Sequence, residues 1–176
     1  MNTPWMAVLT GPVHVGKTTF LLRLLQDLSA RGLKMNGLLS LARFQESRRI
    51  GYDMFDLRTG RKYPLLRIHP EGDWPRIGPF GMDPAGLAKA HSALSRTQGS
   101  HVTVIDEIGP LELRGEGFWP AFRSLRQQQR PLLVVVRSRL ISPFRNACGT
   151  PFHLYRWAAP ALEEDLRRDL LDLMPA

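Results

Sequence analysis

Gly11, Gly16, Lys17 and Thr18 stand at the spacing G-x-x-x-x-G-K-[ST], within Gly11-Pro12-Val13-His14-Val15-Gly16-Lys17-Thr18. Each residue type at that spacing serves the binding of a polyphosphate. Glycines let backbone N–H groups turn inward around phosphate oxygens. Lys17 is placed to reach the β- and γ-phosphates, and the Thr18 hydroxyl to hold Mg²⁺. A second group of chemistry-bearing residues follows much later. Val102-Thr103-Val104-Ile105-Asp106-Glu107 is an apolar run ending in two carboxylates. In phosphate-loop proteins an aspartate in this position helps hold Mg²⁺, and Asp106 takes that role. A second carboxylate beside the metal can orient or deprotonate a water for in-line attack on the γ-phosphorus, so Glu107 argues for hydrolysis.

The elements that must position these residues are legible around them. Met6-Ala7-Val8-Leu9-Thr10 is a short apolar run, read as a strand. After Thr18 the apolar residues Leu21, Leu24, Leu25 and Leu28 recur at helical spacing, and Arg31-Gly32 closes the helix. The loop therefore sits between a strand and a helix whose N-terminus points at the phosphates. Residues 34–41 predict a second strand. Arg49 to Leu57 alternates polar and apolar, and Lys62 to Leu66 returns across the Thr59-Gly60 turn as its hairpin partner. From Arg67 to Met82 turn formers crowd the chain, which predicts a long irregular segment. Asp83-Pro84 opens a helix running to about Ser95. His101 to Ile105 and Pro131 to Val136 are buried strands. Phe118, Phe122 and Leu125 mark a helix between them. Phe152 to Trp157 predicts a short last strand, and Pro160 to Leu173 a closing helix with acids early and arginines late. Strands alternating with helices predict an α/β architecture, a parallel sheet covered on both faces.

Composition narrows the function further. A chain of 176 residues is most simply one domain, spanning 1–176. No apolar run reaches the length of a membrane span, and Met1 to Trp5 are expected to lead straight into the first strand without a cleavable signal. Cys148 is the only cysteine, so an intramolecular disulfide is excluded and a cytoplasmic home is expected. The net charge of +8 comes from arginines scattered along the chain, the only lysines being Lys17, Lys34, Lys62 and Lys89. That pattern favours a solvated surface attracting anionic nucleotides over a dedicated nucleic-acid stripe. A monomer acting on nucleoside triphosphates, with no membrane partner, is the expectation.

Asp106-Glu107-Ile108-Gly109-Pro110-Leu111-Glu112-Leu113 resembles the D-E-I-G-x-[ML]-E-L signature of the THEP1-type nucleoside triphosphatases. The phosphate loop followed by Thr19 fits the same family. Arg48-Arg49-Ile50-Gly51-Tyr52-Asp53 is similar to its R-I-G-F-D segment, and Ile77 to Asp83 is similar to its V-G-x-Y-x-V-D stretch. The matches run in order from about residue 6 to 113. The resemblance implies a small RecA-like P-loop NTPase, with a mainly parallel sheet, helices on both faces and a small β-hairpin. It also implies hydrolysis of ATP, GTP and other nucleoside triphosphates to diphosphates with Mg²⁺. Two places depart from the family pattern. Ser40-Leu41-Ala42-Arg43 lacks the acidic residues expected after the second strand, and Arg156-Trp157-Ala158-Ala159 stands where an N-R pair is usual.

The candidate site follows from the motifs and the resemblance together. Lys17 and Glu107 are the catalytic candidates, and Thr18 and Asp106 the metal candidates. Nucleotide contacts are assigned to Gly11, Pro12, Val13, His14, Val15, Gly16, Lys17, Thr18 and Thr19, and to Val104, Ile105, Asp106, Glu107, Ile108 and Gly109. His14 is expected to turn away from the phosphates. Arg137 and Arg139 follow a buried strand; one could act as an arginine finger, but two solvated strand-end cations are the preferred reading. Arg43, Arg48 and Arg49 have no assigned role. Trp119 could stack on a base, whereas Phe118 is expected in the core. Cys148 is expected to be an inert loop cysteine. Two alternatives to a hydrolase stay open: a small-molecule kinase, with 67–82 and its Arg67 and Arg76 as a lid, and a nucleotide-binding adaptor with negligible turnover.

Overall fold

A computed structural model of the chain describes residues 5–70 and 72–175. The expectation for Met1 to Pro4 lies outside the described residues. Strand β1 (Met6–Gly11) is buried along its whole length. Helix α1 (Lys17–Ala30) follows the loop, and β2 (Met35–Gln45), β3 (Arg48–Asp56) and β4 (Lys62–Arg67) come next. Two short strands, β5 (Arg76–Ile77) and β6 (Phe80–Met82), precede α2 (Pro84–Ser95). The remainder is β7 (Val102–Ile108), α3 (Trp119–Gln127), β8 (Leu132–Arg137), α4 (Ile141–Cys148), β9 (His153–Arg156) and α5 (Leu162–Leu171).

Among the described residues nine strands join one sheet in the order β5-β6-β4-β3-β2-β7-β8-β1-β9. From β2 to β9 the neighbours are parallel; from β2 outward to β5 they are antiparallel. The parallel half is what the alternating pattern predicts. Its strands lie between two apolar layers, so they read as continuous hydrophobic runs. Alternation along β1 shows the division. Met6 and Val8 pack with residues of α2, α3 and α4, including Leu94, Phe122 and Phe144. Ala7 and Leu9 pack with α1 and α5 through Leu21, Leu25, Leu166 and Leu170. Burial of each such leucine contributes about 1.5–3 kcal/mol relative to exposure, and the two layers together clamp the strand ends that carry the site.

The β3–β4 hairpin forms as predicted. The other half of the sheet differs from the sequence reading in two places. β2 continues to Gln45 rather than stopping near 41, and turns into β3 through Glu46 and Ser47, both with positive φ (47° and 66°). Neither residue type signals such a turn. The 67–82 segment is not irregular throughout, since β5 and β6 extend the sheet from β4. Its geometry is tight: a Cβ on Gly81 would lie 2.7 Å from Pro70 Cβ. Helix α4 has no clear sequence period, because Pro143 occupies its first turn and Phe144 is its one buried residue. Cys148 ends that helix instead of lying in a loop, with Sγ 3.2 Å from Thr150 Oγ1. The closing helix begins at Leu162, after Ala158 takes a left-handed conformation (φ 64°). Among the described residues no helix is long and apolar enough to cross a membrane.

Candidate functional site

The phosphate loop links the carboxyl end of β1 to the first turn of α1. Gly16 takes φ 96°, a conformation open to glycine, and its carbonyl accepts the Phe20 N–H at 2.9 Å. Gly11 is needed for another reason: a Cβ there would sit 2.5 Å from Trp157 Cβ. Pro12, Val13, His14, Gly16 and Thr19 are exposed, while Val15 is partly covered. Lys17 is the opposite case, only 6% exposed. Its Nζ donates to the Gly11 carbonyl at 3.2 Å and the Pro12 carbonyl at 2.5 Å. Burial lowers its pKa, against the pull of Glu107 and Asp106. An ammonium held by neutral carbonyls inside the loop is a cation prepared for an anion.

The second half of the site rises from β7, which lies between β2 and β8. Asp106 is 2% exposed. Its Oδ2 accepts the Thr18 hydroxyl at 2.6 Å and the Ser40 N–H at 3.4 Å, while Ser40 Oγ donates to the Asp106 backbone carbonyl at 2.5 Å. Burial pushes the Asp106 carboxyl up to about 7, and the Thr18 hydrogen bond only partly offsets it. A buried carboxylate with a hydroxyl and an amide as its partners, and no ion pair among the described residues, has the donor set of a hard cation site. Mg²⁺ characteristically takes one or two protein oxygens and fills the rest of its shell from phosphates and water. Thr18 and Asp106 fit that pattern, and among the described residues no larger cluster of His, Cys, Asp or Glu gathers anywhere.

Glu107 is skipped in the register between β7 and β8, where Asp106 faces Val135 and Ile108 faces Val136. Its Oε1 accepts two bonds from Arg137, one from Nε at 2.7 Å and one from Nη2. This corrects the reading of Arg137 as a solvated cation. β8 runs between β1 and β7, which sets the Arg137 Cα opposite Gly11 and its side chain against Glu107. Arg139 is exposed, as a solvated cation is.

Not every candidate reaches the site. Val104, Ile105 and Ile108 are fully buried, Val104 in one apolar layer and the other two in the opposite one. They support the edge but present no side chain to it. Gly109 donates its N–H to Glu112 Oε2 at 2.8 Å. Glu112, 6% exposed, also accepts the Phe118 N–H at 3.3 Å, so it fixes the loop after β7. Trp119 stacks on Phe122 at 4.9 Å between centroids and packs against the core, which removes it as a base platform; Phe118 is buried as expected.

Four residues near the site have roles that spacing alone did not disclose. Ser40 anchors Asp106. Trp157 lies against Gly11 and meets Phe20 edge-to-face at 5.7 Å. His14 is exposed but engaged: Arg49 Nη1 and Nη2 face its ring nitrogens at 3.1 and 3.0 Å. Burial and then Arg49 lower the His14 pKa, which favours the neutral ring. Arg43 pairs with Asp53 at 3.5 Å. The two arginines of the imagined kinase lid are occupied as well. Arg67 binds Asp53 and the carbonyls of Tyr52 and Leu66, and Arg76 binds the carbonyls of Ile68 and Pro79. Two open hollows of about 350 and 670 Å³ lie at the opposite edge of the sheet, around Arg58 and Gln98, away from this chemistry.

A family model described as NTPase matches residues 6–154. A nucleoside-triphosphatase THEP1 of Methanopyrus kandleri is 33% identical over 141 residues, covering 80% of this chain and 77% of that one. The solution structure of a human cancer-related nucleoside triphosphatase superposes with a TM-score of 0.71 at 26% identity, covering 96% of each chain. The crystal structure of THEP1 from the hyperthermophile Aquifex aeolicus has the same fold, with a TM-score of 0.69 at 21% identity over 97% of this chain and 99% of that one.

Proposed function

The chain belongs to the THEP1-type family of nucleoside triphosphatases, and from that premise we propose that it hydrolyses ATP, GTP and other nucleoside triphosphates to diphosphate and phosphate with Mg²⁺. The observation that carries this reading is the 2.6 Å bond from Thr18 to Asp106. It brings the start of α1 to the end of β7, so the phosphate loop and the two carboxylates share one edge of the sheet.

Each residue then has a role. The N–H groups of the loop and Lys17 bind the phosphates, Lys17 exchanging its carbonyl partners for phosphate oxygens. Thr18 and Asp106 would hold Mg²⁺, and Ser40 keeps Asp106 in place. When bound, Mg²⁺ supplies positive charge to the β- and γ-phosphate oxygens. Glu107 orients a water and takes its proton. The water oxygen bonds to the γ-phosphorus, and the bridging β,γ-oxygen leaves with its electron pair on the diphosphate. The proposed form is a cytoplasmic monomer. A kinase is disfavoured by the structural use of Arg67 and Arg76.

Glu107→Gln tests the reading. The amide is nearly isosteric, so nucleotide affinity stays within a few-fold while hydrolysis falls by about 10²–10⁴, the worth of a positioned acid–base group. Phosphate release is measured with ATP, GTP, CTP and UTP and no acceptor. Wild-type turnover in a folded Glu107→Gln protein overturns the assignment. No phosphate release without an acceptor, with phosphoryl transfer once a small-molecule acceptor is added, points to the kinase; tight nucleotide binding with neither points to an adaptor.

A further inference from the structure

We propose that Arg137 is itself a catalytic residue: it binds the γ-phosphate of the substrate, and without nucleotide Glu107 holds it in reserve. This rests on the hydrolase reading above and adds a participant that the motifs do not contain.

Topology supplies the first argument. β8 is the one strand with β1 on one side and β7 on the other, and Arg137 is its last residue. The guanidinium therefore emerges between the phosphate loop and the Asp106–Glu107 pair. A terminal phosphate held by Lys17 and approached by a water on Glu107 must lie in that interval.

Bonding supplies the second. Nε and Nη2 of Arg137 both rest on Oε1 of Glu107, and no other ion pair engages Arg137 among the described residues. Nη1 makes no hydrogen bond there, and the side chain is 29% exposed. Burial opposes its charge, but the hydrogen bonds and charge of Glu107, with Tyr52 and Glu112 beyond it, together hold its pKa above the ordinary value. The planar fork that now grips one carboxylate oxygen is equally suited to two phosphate oxygens.

Charge balance supplies the third. Without nucleotide, Lys17 and Arg137 face Asp106 and Glu107. A terminal phosphate carries about twice the charge of a carboxylate, so its arrival favours transfer of the guanidinium from Glu107 to the phosphate. That transfer acts twice. It places a cation where negative charge accumulates in the transition state. It also removes two hydrogen bonds from Glu107, whose freed oxygen is then a better acceptor for the proton of water. Arg137 gives up no proton at any stage.

A residue that only positioned Glu107 would behave differently, and binding separates the cases. Affinities of wild type, Arg137→Ala and Arg137→Lys are measured for Mg²⁺ with a non-hydrolysable ATP analogue and with ADP, followed by single-turnover hydrolysis of ATP. In Arg137→Ala, affinity for the analogue is expected to fall about 10- to 100-fold, the worth of charge-assisted hydrogen bonds, with ADP affinity unchanged. Turnover is expected to fall about 10³-fold, as for other arginines on a γ-phosphate. Arg137→Lys keeps the charge and the pairing with Glu107 but lacks the fork, so it recovers only part of the rate. Added guanidinium ion should partly rescue Arg137→Ala. The proposal is overturned if analogue and ADP affinities fall together or not at all, or if Arg137→Lys turns over at the wild-type rate. Circular dichroism checks the fold, and Arg137→Lys carries the test should Arg137→Ala fail to fold. Should wild type release no phosphate, the hydrolase reading fails, and the preference for triphosphate over ADP still tests the Arg137 contact.

Discussion

Lys17 states the design of the site at the scale of one side chain. The protein places an ammonium at 6% exposure and gives it carbonyl oxygens of the loop itself as temporary partners. Those hydrogen bonds offset part of the lost hydration. Lys17→Ala should therefore leave the fold intact, since the loop's own turn at Gly16 persists. It should weaken triphosphate binding and reduce turnover by about 10²–10³, the effect of removing one preorganised donor. Turnover and calorimetric binding check this, and undiminished turnover in a folded protein would remove Lys17 from the site. Glu112 shows how a signature residue can be structural. It carries no chemistry on the substrate, but two backbone N–H groups depend on it, and a Cβ on Gly117 would come within 2.2 Å of its Oε1.

At the scale of elements, the antiparallel half of the sheet is where the chain spends conformational strain. The β2–β3 turn puts Glu46 and Ser47 in the left-handed region. A non-glycine residue there costs about 1–2 kcal/mol. Replacing Glu46-Ser47 by Asn-Gly suits a two-residue turn of this hand. The double variant should gain about 1 kcal/mol and melt about 2–4 °C higher. Urea unfolding and thermal melts measure it; an unchanged or lower midpoint means the left-handed residues are held by something other than the turn. This strain was invisible in the sequence because Glu and Ser have no turn preference of this kind. The parallel half was visible, because burial on both faces demands unbroken apolar runs and those are read directly.

At the scale of the whole molecule, the site exists only when both apolar layers hold the strands in order. Ligand binding and global stability are therefore linked. A Mg²⁺–triphosphate complex at about 100 times its dissociation constant should add about 2.7 kcal/mol to the stability of the folded state. Thermal melts with a non-hydrolysable analogue, with and without chelator, read this directly. Asp106→Asn should need a higher Mg²⁺ concentration to reach the same shift. Full stabilisation in excess chelator would contradict a metal held by Thr18 and Asp106. The +8 charge should make the shift smaller at high salt, because screening weakens the attraction of the molecule for a polyanion.

The sequence by itself determined the spacing of the phosphate-loop residues and the succession of strands and helices along the parallel half. Both are local: a glycine, a lysine and a threonine at fixed spacing describe a phosphate cradle whatever surrounds them, and Leu21, Leu24, Leu25 and Leu28 describe one helix face. It also identified Asp106 and Glu107, since an apolar strand ending in carboxylates places them at a sheet edge. Only the tertiary structure decided who their partners are. Ser40 is 66 residues from Asp106, and Arg137 is 30 from Glu107. Strand order brings these pairs together, with β2 on one side of β7 and β8 on the other. Strand order is set by how two apolar layers close over the sheet, which is a property of all the residues at once and of no spacing along the chain.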